Sequence, residues 1–154
     1  MFQSFFPQPK LFFSSLALWS GILILVWYSF GKTIGESLGF DLAETETVIG
    51  LGHFITSEFL WFDTFFAFGA LAFFFVWRSL SPHEWQVWSV LGSALLIYLS
   101  YASVQVSVVI NAWYGPFYND IQTALTGDGG ITASDLYGHF LVFCTIAFPY
   151  ILFI

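Results

Sequence analysis

Four stretches of the chain run apolar and almost uncharged, separated by three connections that hold nearly every charge. Residues 11–30, LFFSSLALWSGILILVWYSF, carry no charge between Lys10 and Lys32. About 20 apolar residues at 1.5 Å rise cover the roughly 30 Å hydrocarbon core of a bilayer, so this run predicts one membrane-crossing helix. A second helix is predicted over 59–77, with Asp63 near its start and Arg78 closing it. Its apolar residues show no one-sided period, as expected of a helix that need not turn one face to water. The third predicted span, 87–110, is the most polar. At 100° per residue Ser89, Ser93, Ser100, Ser103, Ser107 and Asn111 fall on one stripe, with Tyr98, Tyr101 and Gln105 opposite. Small hydroxylated side chains along one face allow close helix approach in lipid, so this span is expected to be surrounded by protein. The fourth run, 136–154, carries His139, Cys144 and an expected kink at Pro149.

The connections give the boundaries. Residues 31–57 form a polar link with Glu36, Asp41, Glu44 and Glu46. In the link after the second span, Ser81-Pro82 predicts a helix start, because Ser can cap and Pro tolerates the first turn. Trp85 and Trp88, three apart, are placed to anchor that turn at an interface. Residues 111–135 are expected to form a second long connection, with a turn at Thr126-Gly-Asp-Gly-Gly130.

Composition agrees with an all-α membrane protein of four transmembrane helices. Hydrophobic residues make up 58% of the chain and charged residues 8%, against roughly 25% charged in a soluble domain. A soluble fold of this length has too much surface to hide so many rings. A cleaved signal peptide is disfavoured, because the first run exceeds the usual h-region and Trp27-Tyr28-Ser29-Phe30 offers no small-residue cleavage site. The net charge of −7 excludes a nucleic-acid partner, which needs clustered bases. Lys10 and Arg78 lie on one side of the membrane in this topology and most acids on the other, so the N-terminus is expected in the cytoplasm and 31–57 and 111–135 outside. The last run ends without a flanking base or polar tail, which predicts a piece of a longer chain.

Enzyme signatures are missing: there is no phosphate-binding glycine loop, zinc-protease helix or nucleophile elbow. Cys144 is alone, and His53, His83 and His139 lie in three segments, so neither a metal site nor a cofactor is expected. The candidate chemistry is polar and intramembrane. Asp63 is a carboxylate inside a predicted span, hence a candidate for a proton path, although near the span's end it could also reach the headgroups. Gln105 sits deeper, where interhelical hydrogen bonding competes with substrate contact. Around Pro116, Asn111, Trp113, Tyr114, Phe117, Tyr118 and Gln122 gather rings and amides expected at the outer mouth of a substrate path; an aromatic interfacial belt is the competing reading.

Three stretches together carry a resemblance: Met1-Phe-Gln-Ser-Phe-Phe-Pro7, Ser81-Pro-His-Glu-Trp-Gln-Val-Trp88, and Asn111-Ala-Trp-Tyr-Gly-Pro-Phe-Tyr118 followed by Ile121-Gln-Thr-Ala-Leu125. In this order the chain resembles the N-terminal part of the SbmA/BacA family of bacterial inner-membrane peptide transporters. The resemblance implies a longer protein, a homodimer, and helices arranged as in ABC exporters without a nucleotide-binding domain. It implies proton-driven import of peptides and peptide-like antibiotics. Where the family's pattern carries a glutamate, this chain has Gln105, which cannot take up and release a proton near neutral pH; Asp63 is then the candidate to replace it. Two other readings stand beside this one: the permease part of an ABC transporter with an ATPase domain downstream, and a small four-helix structural membrane protein.

Overall fold

The computed structural model describes residues 8–43, 47–127 and 130–153, without the side chains of 149, 150, 152 and 153. The Met1-to-Pro7 stretch, Glu44, Glu46, Asp128 and the Pro149 ring therefore lie outside the described residues. Among those described the regular structure is entirely helical: α1 Pro9–Ser37, a 3-10 turn Leu51–Ile55, α2 Ser57–Leu80, α3 Val87–Thr126 and α4 Ala133–Phe153. α1, α2 and α3 are long and apolar enough to cross a membrane. α4 qualifies as a shorter apolar helix over Ala133–Phe148.

Three boundaries differ from expectation. α1 continues seven residues past Phe30, because Gly31 and Gly35 are buried and let α2 come close. A Cβ on Gly35 would stand 2.8 Å from Trp61 Nε1, and that indole donates instead to the Gly31 carbonyl at 3.0 Å. α1 then stops in a left-handed turn at Gly39, φ 94°. Gly39 N–H donates to the Glu36 carbonyl and Phe40 N–H to the Gly35 carbonyl, at 3.1 and 3.0 Å, a Schellman ending in which glycine takes the positive φ.

The larger difference is α3. The connection expected over 111–135 shrinks to 127–132, since the helix runs through Pro116 to Thr126. An interior proline removes one backbone bond and crowds the preceding turn, at a cost of about 3 kcal/mol. Packing overrides it here. Val106, Val109 and Trp113, spaced three and four apart, form one buried face with Ile146 of α4, and Phe117 packs against the same cluster. Pro116 itself is on the exposed side. Nor does a helix begin at Ser81-Pro82. Those residues are irregular, the Trp85 N–H donates to His83 Nδ1 at 3.2 Å, and helical structure starts at Gln86, with a π-helical turn over Val87–Gly92.

The chain divides into two compact units, Met1–Ala43 with Ser57–Ile97, and Glu44–Thr56 with Tyr98–Ile154. In the first, Phe12, Phe73, Trp77 and Val90 form the core. Indole donors stitch α1 to α2: Trp19 to the Gly69 carbonyl, Trp61 to Gly31 and Trp77 to Ser15 Oγ, each at 3.0 Å. Such bonds satisfy the one polar atom of a large ring that otherwise packs. In the second unit α3 packs along α4, and Phe54 from the 3-10 turn joins their cluster.

α4 begins with the carboxylate half of a capping box. Asp135 Oδ2 accepts from both the backbone N–H and the hydroxyl of Thr132, each at 2.8 Å. These bonds, the backbone one first, hold the Asp135 carboxyl below its usual range, ahead of the apolar run that starts at Leu136; the nearby His139 acts in the same direction. A depressed folded-state pKa means the cap's contribution is present above the carboxyl's unfolded value and lost as pH falls through the lower folded one. Acidification through the carboxylate range is expected to fray the start of α4, seen as faster hydrogen exchange at the Thr132 amide. Unchanged protection in acid would show that the carboxylate charge does not hold this cap.

Candidate functional site

The candidate substrate-path residues lie on α3, and its helical continuation sorts them onto two faces. Trp113 is 5% exposed. Its ring stacks on Phe117, centroids 4.6 Å apart, and leans on Phe143 of α4 at 5.0 Å. The Trp113 indole donates to the His139 carbonyl at 3.0 Å. Trp113 and Phe117 thus belong to the contact between α3 and α4.

Asn111, Tyr114, Tyr118 and Gln122 all turn outward. Their spacing of three, four and four residues keeps them in one row along the helix. Tyr114 and Tyr118 stack on each other, centroids 5.8 Å apart and planes at 20°. Ser107, four residues before Asn111, is exposed too, its hydroxyl bonded to the Ser103 carbonyl at 3.1 Å. Ser100 extends the exposed side by a further two turns. The expectation that the serine face is covered by protein is not met by the described part of this chain. What α3 presents instead is a continuous ladder of hydroxyls, amides and two stacked phenol rings.

Gln105 lies off this ladder and is half-buried. Its Oε1 is 3.0 Å from His53 Nε2, so in the drawn geometry the imidazole N–H donates to the amide carbonyl. The bond ties the connection between α1 and α2 to the middle of α3. The partner of Gln105 is therefore a titratable ring in a connection and not a side chain of another long helix.

A second histidine contact closes the hairpin between α3 and α4. His139 Nε2 and Asp120 Oδ2 are 2.8 Å apart, with the side chains 20% and 33% exposed. A protonated imidazole makes the contact an ion pair, and a neutral one donates its N–H to the carboxylate in a charge-assisted hydrogen bond. Sequence reading missed it because Asp120 was placed in a loop. With α3 read as helix to Thr126, Asp120 and His139 stand equally far on either side of the turn, which is the signal that would have found them.

Asp63 lies in the first unit, two turns into α2, half-buried and with Oδ1 removed from solvent. Gln86 is 5% exposed, and among the described residues its Oε1 accepts no hydrogen bond; it immediately precedes the π-helical turn. Among the described residues no group of three or more His, Cys, Asp or Glu comes together that could hold a metal.

One family finding bears on these elements. Residues 82–154, just under half the chain, match the model of the SbmA/BacA-like family. The match covers α3, α4 and the approach to α3, and with them the whole exposed ladder. It bears out the resemblance read from the sequence over that stretch. With three helices of spanning length and apolarity, the chain is a multi-pass membrane protein.

Proposed function

We propose, taking the SbmA/BacA-like match over residues 82–154 as premise, that this chain is part of a proton-coupled importer of peptides and peptide-like antibiotics in the bacterial inner membrane. It acts without a cofactor and is a transporter, not an enzyme. It works as a homodimer with its N-terminus in the cytoplasm.

The observation that carries the reading is the row Asn111, Tyr114, Tyr118 and Gln122 on the exposed face of α3. A peptide offers a constant backbone and variable side chains. Amides and hydroxyls serve the backbone, whereas phenol faces accept many side chains without demanding one. The geometry of α3 suits this role. Its 40 residues make about 60 Å at 1.5 Å per residue, twice the roughly 30 Å hydrocarbon core. An end of the helix therefore stands beyond the hydrocarbon. The end that holds Pro116, Asp120 and the amides is the one whose exposed backbone water can satisfy.

Coupling to protons needs a group that titrates, and Gln105 does not. Asp63, half-buried in α2, is the candidate proton carrier. The imidazole of His53, in contact with Gln105, is a second side chain able to carry a proton.

Uptake of a fluorescent proline-rich peptide, measured in cells lacking their own transporter, tests the reading. Expression of the native gene is expected to give uptake that a protonophore abolishes and that ATP depletion leaves intact while a proton gradient is held. Uptake that follows ATP and ignores the protonophore would replace this account with the ABC permease.

A further inference from the structure

We propose that the first unit holds a binding site for one anionic phospholipid, with an acyl chain in a crevice between α1, α2 and the start of α3 and its phosphate between Lys10 and Arg78.

The crevice has a volume of about 210 Å³ and an almost wholly apolar lining that includes Phe12, Trp19, Leu23, Phe66, Phe73 and Ile97. Gly69 and Ala94 lie in its wall, where small side chains leave the room. It is open on one side, since Phe13 is 45% exposed and Ile97 62% exposed. Along α1 the lining runs from Phe12 to Leu23, about 16 Å at the helical rise. That is close to half of the roughly 30 Å hydrocarbon core, the depth one acyl chain occupies in one leaflet.

The occupant is identified by what stands at one end. Lys10 precedes Phe12 by two residues and Arg78 follows Trp77. The Phe12 and Trp77 rings are 5.2 Å apart and Trp77 also donates to Ser15, so the two cations lie at the same end of the α1–α2 pair. They are two of the three basic residues in the chain. Both are exposed, and among the described residues neither enters an ion pair. Arg78 also lines a shallow hollow with His83, Glu84 and Val87. Trp85 and Trp88, 49% and 73% exposed, follow directly, the residue type that settles among headgroups. Uncommitted cations beside interfacial indoles, at the mouth of a leaflet-deep apolar crevice, complement a phosphodiester joined to a hydrocarbon tail. A helix of a partner would fill the crevice but would leave both cations unanswered.

Native mass spectrometry of the purified protein, released from micelles doped with phosphatidylglycerol or phosphatidylcholine, tests this. Wild type is expected to retain one phosphatidylglycerol per chain and to prefer it over phosphatidylcholine. The K10Q/R78Q double variant is expected to weaken that retention roughly thirtyfold, the effect of removing two cations at a membrane surface. A94F, which fills the crevice, should abolish retention of the lipid with both cations present. The K10Q/R78Q changes are on exposed side chains, so this arm decides even if A94F fails to fold. Equal retention of the two lipids, or retention unchanged in K10Q/R78Q, overturns the proposal. So does a lipid-free wild type in which A94F instead dissociates a dimer, which would give the crevice to a second copy.

Discussion

Replacing Trp113 by alanine is expected to destabilise the protein by about 3–5 kcal/mol, the range for removing a large buried ring from a packed contact. The residue closes the α3–α4 cluster with Val109 and Ile146, stacks on Phe117, leans on Phe143, and bonds the His139 carbonyl. Trp113→Phe should recover most of the loss, keeping the stack and forfeiting a hydrogen bond of about 1 kcal/mol. Tyr118→Ala, at a position 54% exposed, should stay within about 0.5 kcal/mol of wild type. Thermal unfolding in detergent separates the three. If Trp113→Ala and Tyr118→Ala unfold alike, the division of this segment into a packed and an open face is wrong.

The opposite ranking is expected for transport. The Tyr114→Ala/Tyr118→Ala pair should reduce peptide uptake tenfold or more at normal membrane abundance. Aromatic contacts at the centre of a recognition surface commonly contribute about 2 kcal/mol each, and about 1.4 kcal/mol is a factor of ten. The two rings stack on each other, so loss of one releases the other, and the double variant should be little worse than either single one. Tyr→Phe changes at both positions distinguish ring from hydroxyl. Near-normal uptake in the phenylalanine variants assigns the contact to the ring faces, and a loss equal to that of alanine assigns it to the hydroxyls. Uptake at the wild-type rate in the double alanine variant would reduce the row to an aromatic anchor.

The helical class and the apolar spans were legible from hydrophobicity because a membrane helix needs only length and freedom from charge. The limits of α1 and α3 were not, and for one reason. Gly31, Gly35 and Pro116 are punctuation in an isolated helix, yet here each is overruled by a contact made far away in sequence. Gly31 and Gly35 seat Trp61, and the turns around Pro116 are held by α4. The site followed from the same error. A loop at 111–125 grouped Trp113, Tyr114, Phe117 and Tyr118 as one aromatic mouth, whereas a helix separates them by 100° steps into two pairs. Gln105 was recognised as a hydrogen-bonding residue, but its partner His53 lies in a connection, 52 residues away, where no periodicity could point to it. Asp135 with Thr132 is the contrary case, a local Thr-x-x-Asp capping pattern that sequence alone could have supplied.

The central claim is that a passing peptide touches the open row of α3, and photocrosslinking tests it most directly. A photoactivatable phenylalanine analogue is placed singly at Tyr114, at Tyr118 and at Tyr137, the last an exposed ring on α4 that is not part of the row. Cells expressing each variant are illuminated during uptake of a labelled proline-rich peptide. The account predicts peptide adducts at positions 114 and 118, suppressed by excess unlabelled peptide, and little at 137. Adducts at 137 equal to those at 114 and 118, or none at either position of the row, would contradict it.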